Sequence, residues 1–505
     1  MSVDQRQADV VTGLRFIRNL LFSGSALSVR AVQAALVVVL LTKALGAESF
    51  GTWVQVTATV ALLGPILTLG AERVLIRFLA EQPDDRERAR LFFGLFVPLL
   101  VMSLAGGAAV YFAAPLFDDQ IAADPTKVPT VAGLIAAAMI ATNVNVFVAE
   151  FFRGQLQMRA HATLWILRDV GWVGIVAGLA ASGASIEVIV GAYAAWLLLL
   201  SAFGLGFVVS RTGLVTPSFA GMRALMRFGG SFAAVHPISW LAKHGNVYFI
   251  SIVLGTTSVG VYGSVRAVAE GTLLISGVLL MALGPTLVRL YTAGDYAQVR
   301  RYMQLAVHAF LLLAGPLVAA VALYAEPILR LFTVPEIAAE GSAVAALLLP
   351  AMLMLGVYSV MAEVFSLTKR PGQLLLTNGL MAAAQVAVNI TLLSRIGLKA
   401  SAIGELTAYS MGAAFAFWVA RRRLGLGLDL GRTARVAAAV GVAVVVGLLL
   451  PRNGWPAVGG LVAFSAAYAA AALAFGAVTR HSIREAVIAA SRASGASRST
   501  EAPFP

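Results

Sequence analysis

The sequence predicts an all-α integral membrane protein: about fourteen transmembrane helices, arranged as two parallel six-helix lobes followed by two further C-terminal helices. Three observations carry this expectation. Of 505 residues, 59% are hydrophobic and only 12% charged, with a mean hydropathy of +0.87, whereas a water-soluble domain carries about 25% charged residues. Apolar runs long enough to cross about 30 Å of hydrocarbon as a helix recur along the whole chain. The phrase LGAESFGTW, Leu45 to Trp53, also returns 209 residues later as LGTTSVGVY, Leu254 to Tyr262.

Taken in order, the apolar runs fall at 17–42, 50–77, 91–116, 129–152, 160–181, 187–210, 228–254, 257–288, 302–325, 340–368, 372–394, 400–420, 433–450 and 456–479. The first follows a charged lead and precedes no small-residue cleavage site, so it reads as a retained span. The first six belong to an N-terminal lobe, 1–210, the next six to a second lobe, 211–425, and the last two to an appended pair, 426–479. The remainder, 480–505, reads as a cytoplasmic tail. In it HSIREAVIAASRA sets Ile483, Ala486, Val487 and Ala490 at helical spacing with Arg484 opposite, a short interfacial helix at most. The closing SGASRSTEAPFP has the composition of a disordered end.

Lys and Arg concentrate in the cytoplasmic loops of membrane proteins. Over alternating loops the two sides here carry 26 and 6 basic residues, with Arg30, Arg73, Arg77, Lys243 and Arg266 inside spans. A miscounted early span would swap every later loop and erase that ratio, so both termini are predicted cytoplasmic. The same distribution removes the formal net charge of +13 as a nucleic-acid signal, because the basic residues are dealt out loop by loop and not gathered in a patch. Attraction to anionic membrane lipids is a secondary consequence.

A shift of 209 residues lays the first span on the seventh, with an even number of crossings between them, so the two copies run the same way through the membrane. Arg18 maps onto Arg227, and LIRF (Leu75 to Phe78) resembles LVRL (Leu287 to Leu290) at a shift of 212. The glycines allow a tight external turn, and Trp53 and Tyr262 are placed where amphipathic aromatics prefer the membrane interface. Two similar halves about an axis along the membrane normal are a transporter architecture, with a substrate site between the halves near the midplane. No loop is long enough for an aqueous catalytic domain, and P-loop, HExxH, GxSxG and paired-carboxylate signatures are missing from the loops. Cysteine is absent and the five histidines lack metal-ligand spacing. The expectation is a non-enzyme without metal or cofactor.

Ionisable residues at mid-depth cost at least a few kcal/mol unless they face protein or water, which makes them the functional candidates. Arg30 lies about 18 Å into its span from Arg18, and Lys243 about 24 Å in from Arg227, at 1.5 Å per residue. Arg30 maps onto Ser239, one helical turn from Lys243 on the same face, so both cations are expected to line one central cavity. Arg266 is the third cation, with Glu270 four residues on as a partner or a cavity group. Asp169, with Asn143 and Asn145 in the preceding span, gives the first half a polar interior suited to a proton or small cation; interhelical hydrogen bonding is the alternative for the asparagines. Glu72, Arg73, Arg77, Glu150 and Glu363 lie within reach of the cytoplasmic boundary, where long side chains snorkel, and the Glu72-Arg73 pair is a candidate gate of the inner mouth. His236-Pro237 reads as a helix interrupted by proline, and His308 as a packed polar residue. A midplane cavity with fixed positive charge suits an anionic headgroup, diphosphate above all, since phosphate favours Arg forks and Lys point charges. It opposes a cationic drug.

The opening half, RNLLFSGSALSVRAVQAALVVVLLTKALGAESFGTWVQV followed by LLGPILTLGAERVLIRFLA, resembles the polysaccharide-transporter branch of the multidrug/oligosaccharidyl-lipid/polysaccharide exporter superfamily. In that branch the first span ends in a phrase like LGAESFG, and the second in a Gly followed by an apolar-basic stretch, as at Gly70 to Phe78. The resemblance implies two lobes in a V shape, alternating access, and transfer of undecaprenyl-diphosphate-linked oligosaccharide from the cytoplasmic to the outer leaflet of a bacterial inner membrane. It also implies coupling to a sodium or proton gradient or to the membrane potential, and a glycan polymerase or other assembly proteins as partners. The related lipid II flippase of peptidoglycan synthesis, whose last two of fourteen spans form a lipid-tail groove, is the second reading, and the arginine-rich first-helix pattern of its closest relatives is not seen here. A cation-coupled small-molecule antiporter would carry carboxylates in place of Arg30 and Lys243. A glycan polymerase or ligase would need a longer external segment than the one around Phe117 to Pro129, and a silent scaffold for a glycan-assembly complex is the remaining class.

Overall fold

The computed structural model describes residues 3–82, 84–117, 128–155, 157–213, 215–219, 221–452, 454 and 456–477. The tail from Arg480, with its expected interfacial helix, and most of the segment between Phe117 and Pro129 lie outside the described residues. Among the described residues the regular structure is helical throughout. The α-helices are α1 Val3–Leu67, α2 Ala71–Phe78, α3 Asp85–Ala113, α4 Val128–Gly154, α5 Met158–Ala181, α6 Ile186–Thr212, α7 Met222–His244, α8 Asn246–Leu254, α9 Thr256–Glu270, α10 Leu273–Thr292, α11 Tyr296–Leu323, α12 Ala325–Phe332, α13 Pro335–Met361, α14 Glu363–Leu367, α15 Pro371–Ile396, α16 Leu398–Leu424, α17 Leu430–Leu449 and α18 Pro456–Ala474.

The repeated phrase is a repeated turn. Gly46 interrupts α1 with φ 78 and ψ −175, and Gly255, 209 residues on, separates α8 from α9 with φ 84 and ψ 172. Positive φ at both positions explains why the phrase keeps its glycine: a side chain would clash there. Ten described helices are long and apolar enough to cross a membrane, or eleven if α9 and the first part of α10, bent by 41°, form one span. The difference from fourteen has physical causes. α1 counts once although Gly46 divides it. The run expected at 228–254 is split into α7 and α8 and carries His236, Lys243 and His244, while α16 carries Lys399, Glu405 and three arginines at its end. The break in the former run falls at Gly245, the junction of α7 and α8, and not at Pro237, through which α7 continues.

Packing divides the chain into two lobes and an appended pair. Helices α1 to α6 share apolar clusters, one around Trp53, Met139, Trp172 and Leu197 and one around Phe92, Phe147 and Phe151. Helices α8 to α16 share a larger one through Tyr262, Met303, Leu348, Met352 and Tyr409. α17 and α18 pack on each other and on α11, where Tyr468 Oη donates to the Leu312 carbonyl at 2.6 Å and His308 Nε2 lies 3.2 Å from the Ala477 carbonyl.

The lobes meet along α1 and α9. Gly51 packs on the backbone carbonyl of Thr256, and Gly260 packs on that of Ala47. Because the 209-residue shift carries 47 to 256 and 51 to 260, the contact is reciprocal, as two co-directional halves about one axis require. Only a missing Cβ on both helices lets the backbones come so near. Beyond it Gln55 Nε2 donates to Ser251 Oγ at 2.5 Å, the Thr59 and Tyr248 hydroxyls lie 2.6 Å apart, and His236 Nε2 is 2.9 Å from the Ala61 carbonyl. A second contact closes on the other side, where the backbones of Gly70 and Gly229 touch. Trp53 and Tyr262, expected at the membrane interface, are instead buried: the reciprocal contact turns both repeats' aromatic residues inward.

Candidate functional site

Between the two contacts lies a cavity of about 690 Å³ with one wall from each lobe. Helical spacing selects its lining. On α1, Arg30, Gln33, Ala34 and Val37 share one face; on α5, Trp165, Arg168, Asp169 and Trp172 do; on α7, Trp240 and His244; on α9, Arg266 and Glu270. Asn143 from α4 and Glu72 from α2 complete the set of polar groups.

The charges fall into paired and unpaired. Arg168 Nε donates to Asp169 Oδ1 at 2.9 Å, and its guanidinium lies 3.7 Å from the centroid of the Trp165 ring. The Trp196 indole fixes that turn by donating to the Arg168 carbonyl at 3.0 Å. Arg266 Nε donates to Glu270 Oε1 at 2.7 Å, while its Nη1 is bonded to Glu405 Oε1 on α16, behind the cavity wall. Glu405 is fully buried and also accepts from Tyr262 Oη at 2.7 Å and Asn246 Nδ2 at 3.0 Å. Asn246 Oδ1 in turn accepts from Asn389 Nδ2 at 2.8 Å, tying α8, α9, α15 and α16 together. Arg30 differs from both. Its guanidinium sits 5.5 Å from the Trp165 centroid, it is exposed in the cavity, and among the described residues it has no carboxylate partner. Arg30 thus presents its guanidinium to an incoming anionic group on a wall where Arg168 and Arg266 already hold carboxylates.

Of the sequence candidates, Arg30, Arg266, Asp169, Glu270, Glu72 and Asn143 come together on this cavity, and Lys243 and Arg73 are not on its wall. The reason is the same for both. Neighbouring positions on a helix point about 100° apart, so His244 and Glu72, which do face the cavity, turn the preceding Lys243 and following Arg73 aside. Glu72 is held by Thr68 Oγ1 at 2.9 Å and Asn143 donates to Ser103 Oγ at 3.0 Å. Asp169 stands beside Arg168, which the loop-charge reading assigned to a cytoplasmic loop and which lies on the wall. Sequence reasoning also missed Trp165, Trp172, Trp240 and Glu405; a lone acid inside an apolar run was the available signal for the last. No group of three or more His, Asp or Glu side chains with metal-binding geometry occurs among the described residues.

Comparison with known proteins agrees with this architecture. A family model described as polysaccharide biosynthesis protein matches residues 16–291, and the MatE model matches 240–391. The probable low-salt glycan biosynthesis flippase Agl15 of Haloferax volcanii is 21% identical over 282 residues, which are 55% of this chain and 58% of that protein. The chain thus spans a little over half the length of that relative. The lipid II flippase MurJ in an inward closed conformation superposes with a TM-score of 0.75 at 12% identity, covering 92% of this chain and 99% of the other. An inward-facing multidrug resistance MATE family transporter gives 0.65 at 15% identity, covering 78% and 94%. With a family model matching more than half of its length, the chain belongs to the polysaccharide biosynthesis protein family, the polysaccharide-transporter branch of the multidrug/oligosaccharidyl-lipid/polysaccharide exporter superfamily.

Proposed function

We propose that this protein moves undecaprenyl-diphosphate-linked oligosaccharide from the cytoplasmic to the outer leaflet of a bacterial inner membrane for polysaccharide export, by alternating access of its two lobes. The observation that carries the reading is Arg30, a cation facing the cavity with no carboxylate partner among the described residues, where Arg168 and Arg266 each hold one. The diphosphate would be held by the Arg30 guanidinium with Arg168 beside it, while the polyprenyl tail stays in lipid, so neither part bears the full desolvation cost. Coupling to a sodium or proton gradient or to the membrane potential belongs to the same proposal, with Asp169, Glu270 and Glu72 as the carboxylates that face the cavity. A glycan polymerase or other assembly proteins would receive the product. The lipid II reading shares the diphosphate chemistry and is separated from the first by the sugar carried. A cation-coupled drug antiporter is disfavoured by Arg30, whose guanidinium would repel a cationic cargo at that wall.

Arg30→Gln, at wild-type expression, is expected to weaken binding of undecaprenyl diphosphate about 10- to 100-fold, the equivalent of one charge-assisted hydrogen bond at about 1.5–3 kcal/mol. In cells lipid-linked glycan then accumulates on the cytoplasmic side and export falls. Lys243→Gln is expected to change binding little. Unaltered affinity and export in Arg30→Gln would remove the proposed site.

A further inference from the structure

Four of the chain's seven tryptophans, Trp53, Trp165, Trp172 and Trp240, line this one cavity. Burial alone does not ask for that, since leucine or valine fills a lipid-embedded wall without a polar atom to satisfy. Trp53 and Trp172 stack with centroids 5.5 Å apart and 20° between planes, and Tyr193 meets both edge-on at 5.3 and 4.9 Å. Trp172 and Trp240 are only 2% and 5% exposed, and among the described residues neither indole N–H has a hydrogen-bond partner; the Thr142 hydroxyl on the same cavity lacks one too. A buried donor left unsatisfied costs about 1–3 kcal/mol, so two of them on one cavity need a reason.

We infer that the aromatic wall is a sugar-ring subsite beside the diphosphate site at Arg30, an inference that rests on the function proposed above. A pyranose presents polarised C–H bonds on its flat face, which suit the electron-rich face of an indole, and hydroxyls at its edge, which suit unpaired indole N–H and hydroxyl groups. Neither half of that description suits an acyl chain, and the second does not suit an apolar drug. Register supports the order of the subsites. Trp165, which contacts Arg30, and Trp172 are seven residues apart on one face of α5, about 10 Å along the axis at 1.5 Å per residue. A diphosphate and its first sugar cover that separation.

The test compares bare undecaprenyl diphosphate with undecaprenyl diphosphate bearing glucose, galactose or N-acetylglucosamine, each titrated against the full chain in lipid nanodiscs. Wild type is expected to bind at least one sugar-bearing lipid five- to tenfold more tightly than the bare lipid, with a shift in tryptophan emission. Trp172→Leu is expected to lose that increment and keep the affinity for the bare lipid, and Trp240→Phe, which retains a ring but no N–H, to lose part of it. Retained affinity for the bare lipid shows that each variant is folded. Equal affinity of wild type for all four lipids, or an increment untouched in both variants, would overturn the sugar subsite while leaving the diphosphate reading standing. Failure of wild type to bind any of the four would overturn the function proposal and this inference with it.

Discussion

At the scale of single residues, the pair Arg266 and Glu405 shows how a charge inside a membrane protein is made tolerable. Glu405 is fully buried, and one of its oxygens takes bonds from Arg266, Tyr262 and Asn246 while the other has no partner. Removing one member of a buried ion pair leaves the other uncompensated, at a cost of about 3–5 kcal/mol, whereas replacing both by apolar groups is often neutral. Arg266→Met, which strips the fully buried Glu405 of its cation, is therefore expected to lower the thermal unfolding midpoint in detergent sharply, and Arg266→Met combined with Glu405→Leu to recover most of the loss, since Glu270 is half-exposed and stays solvated. Equal midpoints for the single and double variants would show that the pair is not the source of the effect. Residue scale is also where the sequence was least legible. Charge in a span announces itself through its cost, so Arg30, Asp169 and Arg266 could be named. The direction a side chain faces depends on a 100° step per residue and on where the neighbouring helices lie, so Lys243 and His244 could not be told apart. Tryptophan gave no warning, because an uncharged aromatic inside an apolar run reads as ordinary core or lipid-facing surface.

At the scale of helices, the repeated phrase was almost fully legible. Gly46 and Gly255 are required by positive φ, and Gly51 and Gly260 by backbone approach, so all four survive in a pattern readable from the chain alone. What could not be read was that the two turns pack against each other, since a repeat states that two segments are alike and not that they touch. Gly260→Ala would place a methyl group against the Ala47 carbonyl, and Gly51→Ala one against that of Thr256. Each is expected to part the lobes on that side. The chain has no cysteine, so spin labels at Glu48→Cys and Thr257→Cys, equivalent positions one repeat apart, report the gap directly. A longer label distance in either alanine variant is the expected result, together with reduced translocation; an unchanged distance would mean that the backbone fit is not what brings the helices together.

For the molecule as a whole, the two lobes touch on both sides of the cavity, at Gly51 and Gly260 on one and at Gly70 and Gly229 on the other. The alternating access proposed above requires that one contact can part while the other holds. Joining Gln55→Cys to Ser251→Cys with a short reducible crosslinker is expected to stop translocation, preserve binding of undecaprenyl diphosphate, and restore transport on reduction. Continued transport by the crosslinked protein would exclude separation of the lobes at this contact. The overall class was legible because the bilayer limits spanning chains to helices or closed barrels and loop charge alternates. The count was less so, because α7 and α8 on the cavity, and α16 behind its wall, hold polar residues that erode the apolar signal.

The reciprocal glycine contact has an energetic consequence. Its core is backbone against backbone, and four hydrogen bonds between α1 and the second lobe, through Thr42, Gln55, Thr59 and His236, are what it adds in polar grip. At about 1 kcal/mol net apiece, these bonds resist with roughly 4 kcal/mol, less than the 5.5 kcal/mol or so that carries a two-state balance from one extreme to the other. A cargo would then need to favour one shape over the other by about a thousandfold to part them, and binding free energy beyond that is available for telling one cargo from the next.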